Sequence, residues 1–143
     1  MTDEKGVPLA LVISGANTHD VKLLADTLNA VQIERPDPER VEQNLCLDAG
    51  YVGAEARQQV VAQGYIPHVR PRGEEIAAKQ KNPEYQPRRW VVEVCHSWFN
   101  RFRKLLVRYE KKERSFLGLL MIAASIIVLR KIKRENKGNI IYG

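Results

Sequence analysis

Changes in the spacing of apolar residues along the chain constrain its fold more than any other feature. Three short apolar or β-branched runs predict strands, and helical spacing between and after them predicts helices. In chain order, the predicted elements are a strand at 7–14, a helix at 19–31, a strand at 44–48, a helix at 54–63, a strand at 65–69 and helices at 88–112 and 115–134. Strands that alternate with helices pair in parallel, so the sequence predicts an α/β domain with a small sheet.

The segments between these elements are polar or rich in proline. Residues 33–43 predict a loop, and residues 70–87 predict a mobile linker that carries many charges. A chain of 143 residues is long enough for one domain with its own core. We therefore predict a single domain at 1–134, followed by a loose tail at 135–143.

Positive charge is concentrated in one stretch of the sequence. The net charge of the chain is +6, and residues 88–114 contain nine arginines and lysines but only three glutamates. A local positive field of this kind attracts polyanions such as DNA. The alternative interpretation is a solvated helix face without a partner.

Residues 116–129 form an apolar run of fourteen residues without a charge. A transmembrane helix needs about 20 such residues, and a run of roughly 10–14 is more typical of a buried helix. We therefore predict a core or docking helix here and no membrane partner, with a membrane anchor as the alternative.

Cys46 and Cys95 lack the spacing of a metal site. We therefore predict that both are reduced, buried thiols in a cytoplasmic protein.

Asp48 is the last residue of the predicted strand 44–48, and Gly50 lies two residues after it. In α/β sheets, ligands bind beyond the carboxyl ends of the strands, so a carboxylate at this edge is a candidate metal ligand. The alternative is a turn aspartate that accepts a hydrogen bond from its own backbone.

Glu93 lies in the predicted helix 88–112, away from the apolar side of a helical wheel. Its stripe also holds Arg89, Ser97, Asn100 and Lys104, a set suited to a metal ligand beside phosphate contacts. The alternative is a surface helix with an Arg89–Glu93 pair worth a few tenths of a kcal/mol. Two carboxylates on separate elements suit Mg²⁺, which also takes water and phosphate oxygens as ligands.

Four segments follow one another in order: LALVISGANTHD at 9–20, LCLDAGY at 45–51, GYIPHVRPR at 64–72 and RRWVVEVCHSWFNRFRKLLVRYEK at 88–111. Together they resemble the catalytic domain of DDE-type transposases of bacterial insertion sequences. The resemblance runs from near residue 2 to about residue 130. It implies a ribonuclease-H-like, retroviral-integrase-like fold with two C-terminal helices.

The resemblance also implies an activity and a site. Transposases of this type use three acids to hold Mg²⁺ or Mn²⁺, cut the ends of the element and transfer the freed 3′ hydroxyls to target DNA. Asp48 matches the second acid and Glu93 the third, with Tyr85 ahead of the glutamate. The residues expected to contact DNA are Arg88, Arg89, Asn100, Arg101, Arg103 and Lys104.

No aspartate in the sequence matches the first acid of the family. Asp3 falls in a predicted turn and Asp20 opens the first helix. The first two strands of the fold also lack counterparts, so we expect the C-terminal part of a transposase, from a truncated, frameshifted or split gene. Its expected partners are DNA and an upstream transposase segment or full-length transposase. The alternative is an inactive DNA-binding or regulatory transposase remnant.

Overall fold

The structure is a computed structural model that describes residues 1–15, 17–69, 71, 74, 80–81 and 90–141, with side chains up to residue 136. The chain forms two compact units. The sheet unit comprises Ser14–Trp90, and the helical unit comprises Met1–Ile13 together with Val91–Gly143. The boundary that the sequence predicts between a domain at 1–134 and a tail at 135–143 stays a prediction.

The sheet unit contains a parallel pair of strands joined by a helix. Strand β1 (Asn44–Leu47) pairs with β2 (Ile66–Val69) in parallel, and Asn44 stands opposite Ile66. Helix α1 (Leu24–Asn29), preceded by a single 3₁₀ turn, comes before β1, and helix α2 (Ala54–Ala62) connects the strands. The predicted parallel α/β arrangement is confirmed for this unit.

The core of the sheet unit is small and mostly aliphatic. Its buried side chains belong to Leu24, Leu28, Leu45, Ala56, Val60 and Tyr65. Val60 is fully buried, at 0 % exposure. The apolar residues of α1 recur at a spacing of four, so Leu24 and Leu28 lie on one face of the helix.

Gly64 ends helix α2 in a left-handed conformation, with φ of 76°. Its amide donates to the Val61 carbonyl at 2.9 Å, and the Tyr65 amide donates to the Val60 carbonyl at 3.2 Å. Glycine is favoured at this position because a Cβ is strained at positive φ. The turn thereby directs the chain from α2 into β2.

The helical unit contains three helices where the sequence predicts two. Helix α3 spans Trp90–Phe99, the four-residue helix α4 spans Arg103–Leu106, and helix α5 spans Glu113–Ile141. The prediction of one continuous helix at 88–112 is therefore wrong, since the chain turns at 100–102. Phe102 has an extended backbone (φ −90°, ψ 101°), and its side chain packs against the unit's core. Burial of that ring compensates for the lost helical hydrogen bonds.

The last helix is longer than its apolar pattern indicates. It begins at Glu113, two residues before the predicted start at residue 115, and it ends at Ile141, beyond the predicted end at residue 134. Residues 130–137 are mostly lysine, arginine, glutamate and asparagine, which supply no apolar stripe. Lysine, arginine and glutamate are nevertheless good helix formers, so the helix continues without one.

One cluster forms the core of the helical unit. Cys95 and Phe99 of α3 pack with Ala123 and Ile127 of α5, and each pair is spaced four residues apart. Partly buried side chains complete the cluster: Leu11, Trp98, Phe102, Leu105, Leu120 and Ala124. The spacing of four makes one stripe on each helix, and the two stripes bury each other.

The predicted strand at 7–14 is absent from the structure. Residues 1–10 instead form a tight turn with an isolated antiparallel bridge between Thr2 and Pro8. Asp3 Oδ1 accepts hydrogen bonds from the backbone amides of Lys5 and Val7, and the Met1 ammonium donates to the Ala10 carbonyl at 2.9 Å. β-branched residues favour an extended chain, but a strand needs a neighbouring strand, and the described residues offer 7–14 none.

Helix α5 is packed along one narrow stripe. Ala123 and Ile127 are buried, whereas Met121, Ile122 and Leu129 are at least half exposed. Its part Glu113–Asn136 is long and apolar enough, by length and composition only, to cross a membrane. Only 11 % of this window is buried, and the buried part is the stripe of Ala123 and Ile127 that packs against α3.

Candidate catalytic site

Asp48 lies at the carboxyl end of β1, as the sequence predicts. Its backbone is extended (φ −70°, ψ 161°), and its carboxylate accepts a hydrogen bond from the Ala49 amide. It caps the short 3₁₀ helix Ala49–Tyr51, and the residue is exposed. The turn-aspartate interpretation therefore describes its local bonding, and its place at the carboxyl end of β1 is where ligands of α/β sheets bind.

Tyr51 lies within the electrostatic reach of both Asp20 and Asp48, which the sequence did not predict. The pKa of the Tyr51 phenol is raised, first by burial and then by the negative charges of Asp20 and Asp48. Two carboxylates therefore act on one tyrosine at this end of the sheet unit. Asp20 is 28 residues before Asp48, and local spacing gives no signal that both act on Tyr51.

Glu93 lies on the exposed face of α3. The buried residues of this helix are Val91, Cys95 and Phe99, which recur every four residues, and Glu93 falls between the first two of them. At 3.6 residues per turn, Glu93 points about 200° away from Val91 around the helix axis. The wheel prediction that Glu93 is outside the core is confirmed.

The residues predicted to contact DNA lie in and after the turn that ends α3. Asn100, Arg101, Arg103 and Lys104 are all exposed. Because the helix is interrupted at 100–102, Lys104 belongs to α4 and does not extend the Glu93 stripe of α3. The remaining predicted residues, Tyr85, Arg88 and Arg89, lie outside the described residues, as does most of the predicted linker at 70–87.

The two candidate metal ligands belong to different units. Asp48 is in the sheet unit and Glu93 is in the helical unit. Within the described part of the chain, no group of three or more His, Cys, Asp and Glu side chains is placed to hold a metal ion. A separation of roughly 10 Å or less between the two carboxylates, close enough for bound metal ions to bridge them, stays a prediction. Both side chains are carboxylates, and Mg²⁺ and Mn²⁺ prefer oxygen ligands of this kind.

The two cysteines have different environments. Both are free, Cys95 is buried and Cys46 is exposed, so the prediction of two buried thiols is wrong for Cys46. Cys46 lies in β1, where alternate side chains point to opposite faces, and its face of the strand is exposed. Burial raises the pKa of the Cys95 thiol, and the Met1 ammonium opposes that shift. A buried, protonated thiol behaves as a small apolar core residue.

Residues 45–130 match the family model of the transposase DDE domain. This match covers more than half of the chain and includes both Asp48 and Glu93, so the protein belongs to the DDE transposase family. The resemblance inferred from the sequence is confirmed.

A related protein of Burkholderia cepacia is named "Putative transposase for insertion sequence element IS402". The two sequences are 28 % identical over 140 residues, which is 96 % of this chain and 64 % of the relative. The chain therefore spans just under two thirds of the length of this relative. No solved structure matches the chain.

Proposed function

We propose that this chain supplies the second and third catalytic acids of a DDE transposase, Asp48 and Glu93, and acts on DNA. The observation that carries the proposal is the position of Asp48 at the carboxyl end of a strand in a parallel pair, inside the matched transposase segment. Ligands of α/β sheets bind at this edge. We further propose that the sheet unit is part of a ribonuclease-H-like domain.

The two carboxylates would hold Mg²⁺ or Mn²⁺. Such an ion, when bound, supplies charge neutralisation and activation of an oxygen nucleophile at neutral pH. The reaction itself would be hydrolysis of a phosphodiester at an element end, which frees a 3′ hydroxyl, followed by attack of that hydroxyl on a phosphodiester of target DNA. In both steps one P–O bond forms and another breaks.

Positioning of the DNA falls to the exposed basic residues after α3. Arg101 and Arg103 present guanidinium groups that match phosphate geometry, and Lys104 adds a compact positive charge. Asn100 contributes an uncharged amide that can donate to a phosphate oxygen. These residues would orient the scissile phosphodiester relative to the two carboxylates, which is the main protein contribution to phosphoryl transfer.

The remaining carboxylate of the site, which corresponds to the first acid of the family, would come from outside the matched residues 45–130. We propose that an upstream transposase segment, or a full-length transposase, provides an aspartate on a strand of the same sheet. The location of the reaction would be the bacterial cytoplasm, where the DNA is. With two acids alone, the chain would bind DNA and metal without cutting DNA.

The decisive experiment combines metal binding with strand cleavage. Mn²⁺ binding is measured on the chain with Asp48→Asn and Glu93→Gln, and with Asp26→Asn and Glu55→Gln as controls, because both control residues are exposed acids. Each site variant is expected to weaken Mn²⁺ binding at least tenfold, while the controls bind normally. Equal affinity in all four variants would exclude Asp48 and Glu93 as ligands.

Cleavage is then measured on DNA that carries the element ends. The chain alone is expected to leave DNA intact, and addition of the upstream transposase segment is expected to produce metal-dependent nicks. These nicks should disappear with Asp48→Asn or Glu93→Gln. Cleavage by the unsupplemented chain would show that a third ligand is already present in it.

A further inference from the structure

A basic pocket lies in the helical unit, apart from Asp48 and Glu93. It has a volume of about 140 Å³ and is lined by Trp98, Arg101, Ile127, Arg130, Lys131 and Arg134. Four of its six residues are cationic, and the other two present an indole ring and an aliphatic side chain. Three of the cations are on α5, a helix that the sequence analysis assigned no role in binding DNA.

Within the described part of the chain, none of the four pocket cations forms a salt bridge. Among the described residues the ion pairs are Lys5–Glu135 and Arg40–Asp37, and neither includes a pocket residue. Glu135 follows Arg134 directly in sequence, but it accepts a hydrogen bond from Lys5 Nζ at 2.9 Å. The acid nearest in sequence to the three α5 cations is thus hydrogen-bonded to a lysine outside the pocket, and of the pocket cations the charge of Lys131 also acts on it.

The arrangement of the cations carries an energetic cost that an anion would offset. Arg130 and Arg134 are four residues apart on α5, and like charges at this spacing destabilise a helix. Lys131 lies over the Trp98 ring, with Nζ 4.9 Å from the ring centroid. This cation–π contact holds the ammonium at the pocket beside the arginines.

The chemistry of the pocket identifies its ligand class. Guanidinium groups bind phosphate oxygens through two parallel N–H donors, and an ammonium adds a point charge. A volume of about 140 Å³ accommodates a phosphate with part of its sugar, and it is too small for a base pair. We propose that this pocket binds a backbone phosphate of DNA and so extends the DNA-binding surface from Arg101 onto α5. The proposal rests on the proposed function, because it takes DNA as the polyanion.

The first arm of the test measures the salt dependence of binding to a fluorescent DNA duplex. The double variant Arg130→Gln/Arg134→Gln removes two pocket charges and keeps good helix formers at exposed positions. Its control, Lys22→Gln/Arg57→Gln, makes the same charge change at exposed residues of the sheet unit. The logarithmic salt slope of the pocket variant is expected to be smaller by up to about 1.8, at about 0.9 per lost phosphate contact, with the control slope unchanged.

The second arm observes the pocket directly and does not depend on the arginine variants. The chain has two tryptophans, so Trp90→Phe leaves Trp98 as the only one. DNA is expected to change Trp98 emission and to protect it from acrylamide. Inorganic phosphate, a nucleoside monophosphate and vesicles of anionic phosphatidylglycerol are titrated in parallel. Each of these three is expected to change Trp98 emission only at concentrations at least a hundredfold higher than that of DNA.

The outcomes separate this proposal from the proposed function. Normal DNA binding by the chain, with an unchanged slope in the pocket variant and no response of Trp98, overturns the pocket and leaves the proposed function intact. Absence of DNA binding by the unmodified chain overturns both. Saturation of Trp98 by phosphate, nucleotide or vesicles at lower concentrations than by DNA overturns DNA as the ligand.

Discussion

The two units of the protein differ most in charge. Residues 14–90 contain ten basic and eleven acidic residues, a net charge of −1, whereas the rest of the chain contains thirteen basic and six acidic residues, a net charge of +7. The net positive charge of the chain therefore comes from the helical unit. The sheet unit offers a carboxylate at a strand end, and the helical unit offers a field for phosphates. The proposed function uses both, and the chain carries them on separate parts of its sequence.

The two cores differ as well. The sheet unit buries aliphatic side chains such as Leu24, Leu28 and Val60, around a two-stranded sheet. The helical unit buries an aromatic ring, Phe99, against Ala123 and Ile127 on the facing helix. A large ring between small partners leaves a large void when it is removed, so the stability of the helical unit depends strongly on this one residue.

The largest effect is expected from Phe99→Ala. Phe99 is 8 % exposed, and truncation of a buried phenylalanine costs about 3–5 kcal/mol of unfolding free energy. Chemical denaturation with near-UV and far-UV detection measures this loss. Tyr109→Ala is the control, because Tyr109 is 72 % exposed and its truncation should change stability by less than about 0.5 kcal/mol. Equal losses in both variants would show that the helical unit has no core around Phe99.

The next largest effect concerns the charge difference between the units. Arg101→Ala, Arg103→Ala and Lys104→Ala combined remove three exposed cations from the helical unit, whereas Lys22→Ala, Arg40→Ala and Arg57→Ala remove three from the sheet unit. The first triple variant is expected to lower the salt slope of DNA binding by up to about 2.7, and the second to leave it unchanged. Equal slopes in the two triple variants would mean that DNA binding depends on the net charge of the chain and not on which unit carries the cations.

Part of this organisation could be predicted from the sequence because it is local. The strands at Asn44–Leu47 and Ile66–Val69, and helix Ala54–Ala62 between them, follow from apolar spacing within windows of a few residues. The exposure of Glu93 follows from the helical wheel for the same reason. The position of Asp48 at a strand end could be predicted because the residue lies where an apolar run ends.

The rest depends on contacts between distant residues. The run at 7–14 has the composition of a strand but finds no strand partner among the described residues. The helix at 88–112 breaks because Phe102 packs into a core formed with α5, which begins eleven residues later. Trp98 and Arg130 line the same pocket, and the charge of Asp20 acts on Tyr51. No local pattern reports such pairs.

A third, smaller effect compares the glycine turns of the two units. Gly64 of the sheet unit has φ of 76°, and Gly6 of the helical unit has φ of 80°. A Cβ on Gly64 would lie 2.8 Å from Pro38 Cγ, and one on Gly6 would lie 3.2 Å from the Val91 carbonyl oxygen. Gly64→Ala and Gly6→Ala should each cost about 1–2 kcal/mol, since a side chain at positive φ is strained. Thermal unfolding measures both, with Gly50→Ala, which meets no atom within 4 Å, as the control.

The smallest effect is expected at the Lys5–Glu135 ion pair, whose two side chains are 55 % and 54 % exposed. Such exposed pairs contribute little and are screened by salt. The hydrogen bond with Lys5, followed by the lysine charge, lowers the pKa of Glu135 below its ordinary value of 4.5, and the same bond raises the pKa of Lys5 above 10.5.

The sign of the resulting pH dependence follows from these two shifts. The Glu135 contribution is present above pH 4.5 and is lost as the pH falls through its lower folded pKa, because the unfolded chain then binds the proton more tightly. The Lys5 contribution is present below pH 10.5 and is lost as the pH rises through its higher folded pKa. Lys5→Met should therefore lower Tm by a small amount between pH 5 and pH 10, and by less in 1 M salt. The difference from the unmodified chain should vanish at both pH extremes. A difference in Tm that persists at pH 3 would show that Lys5 acts through packing of its aliphatic stem and not through its charge.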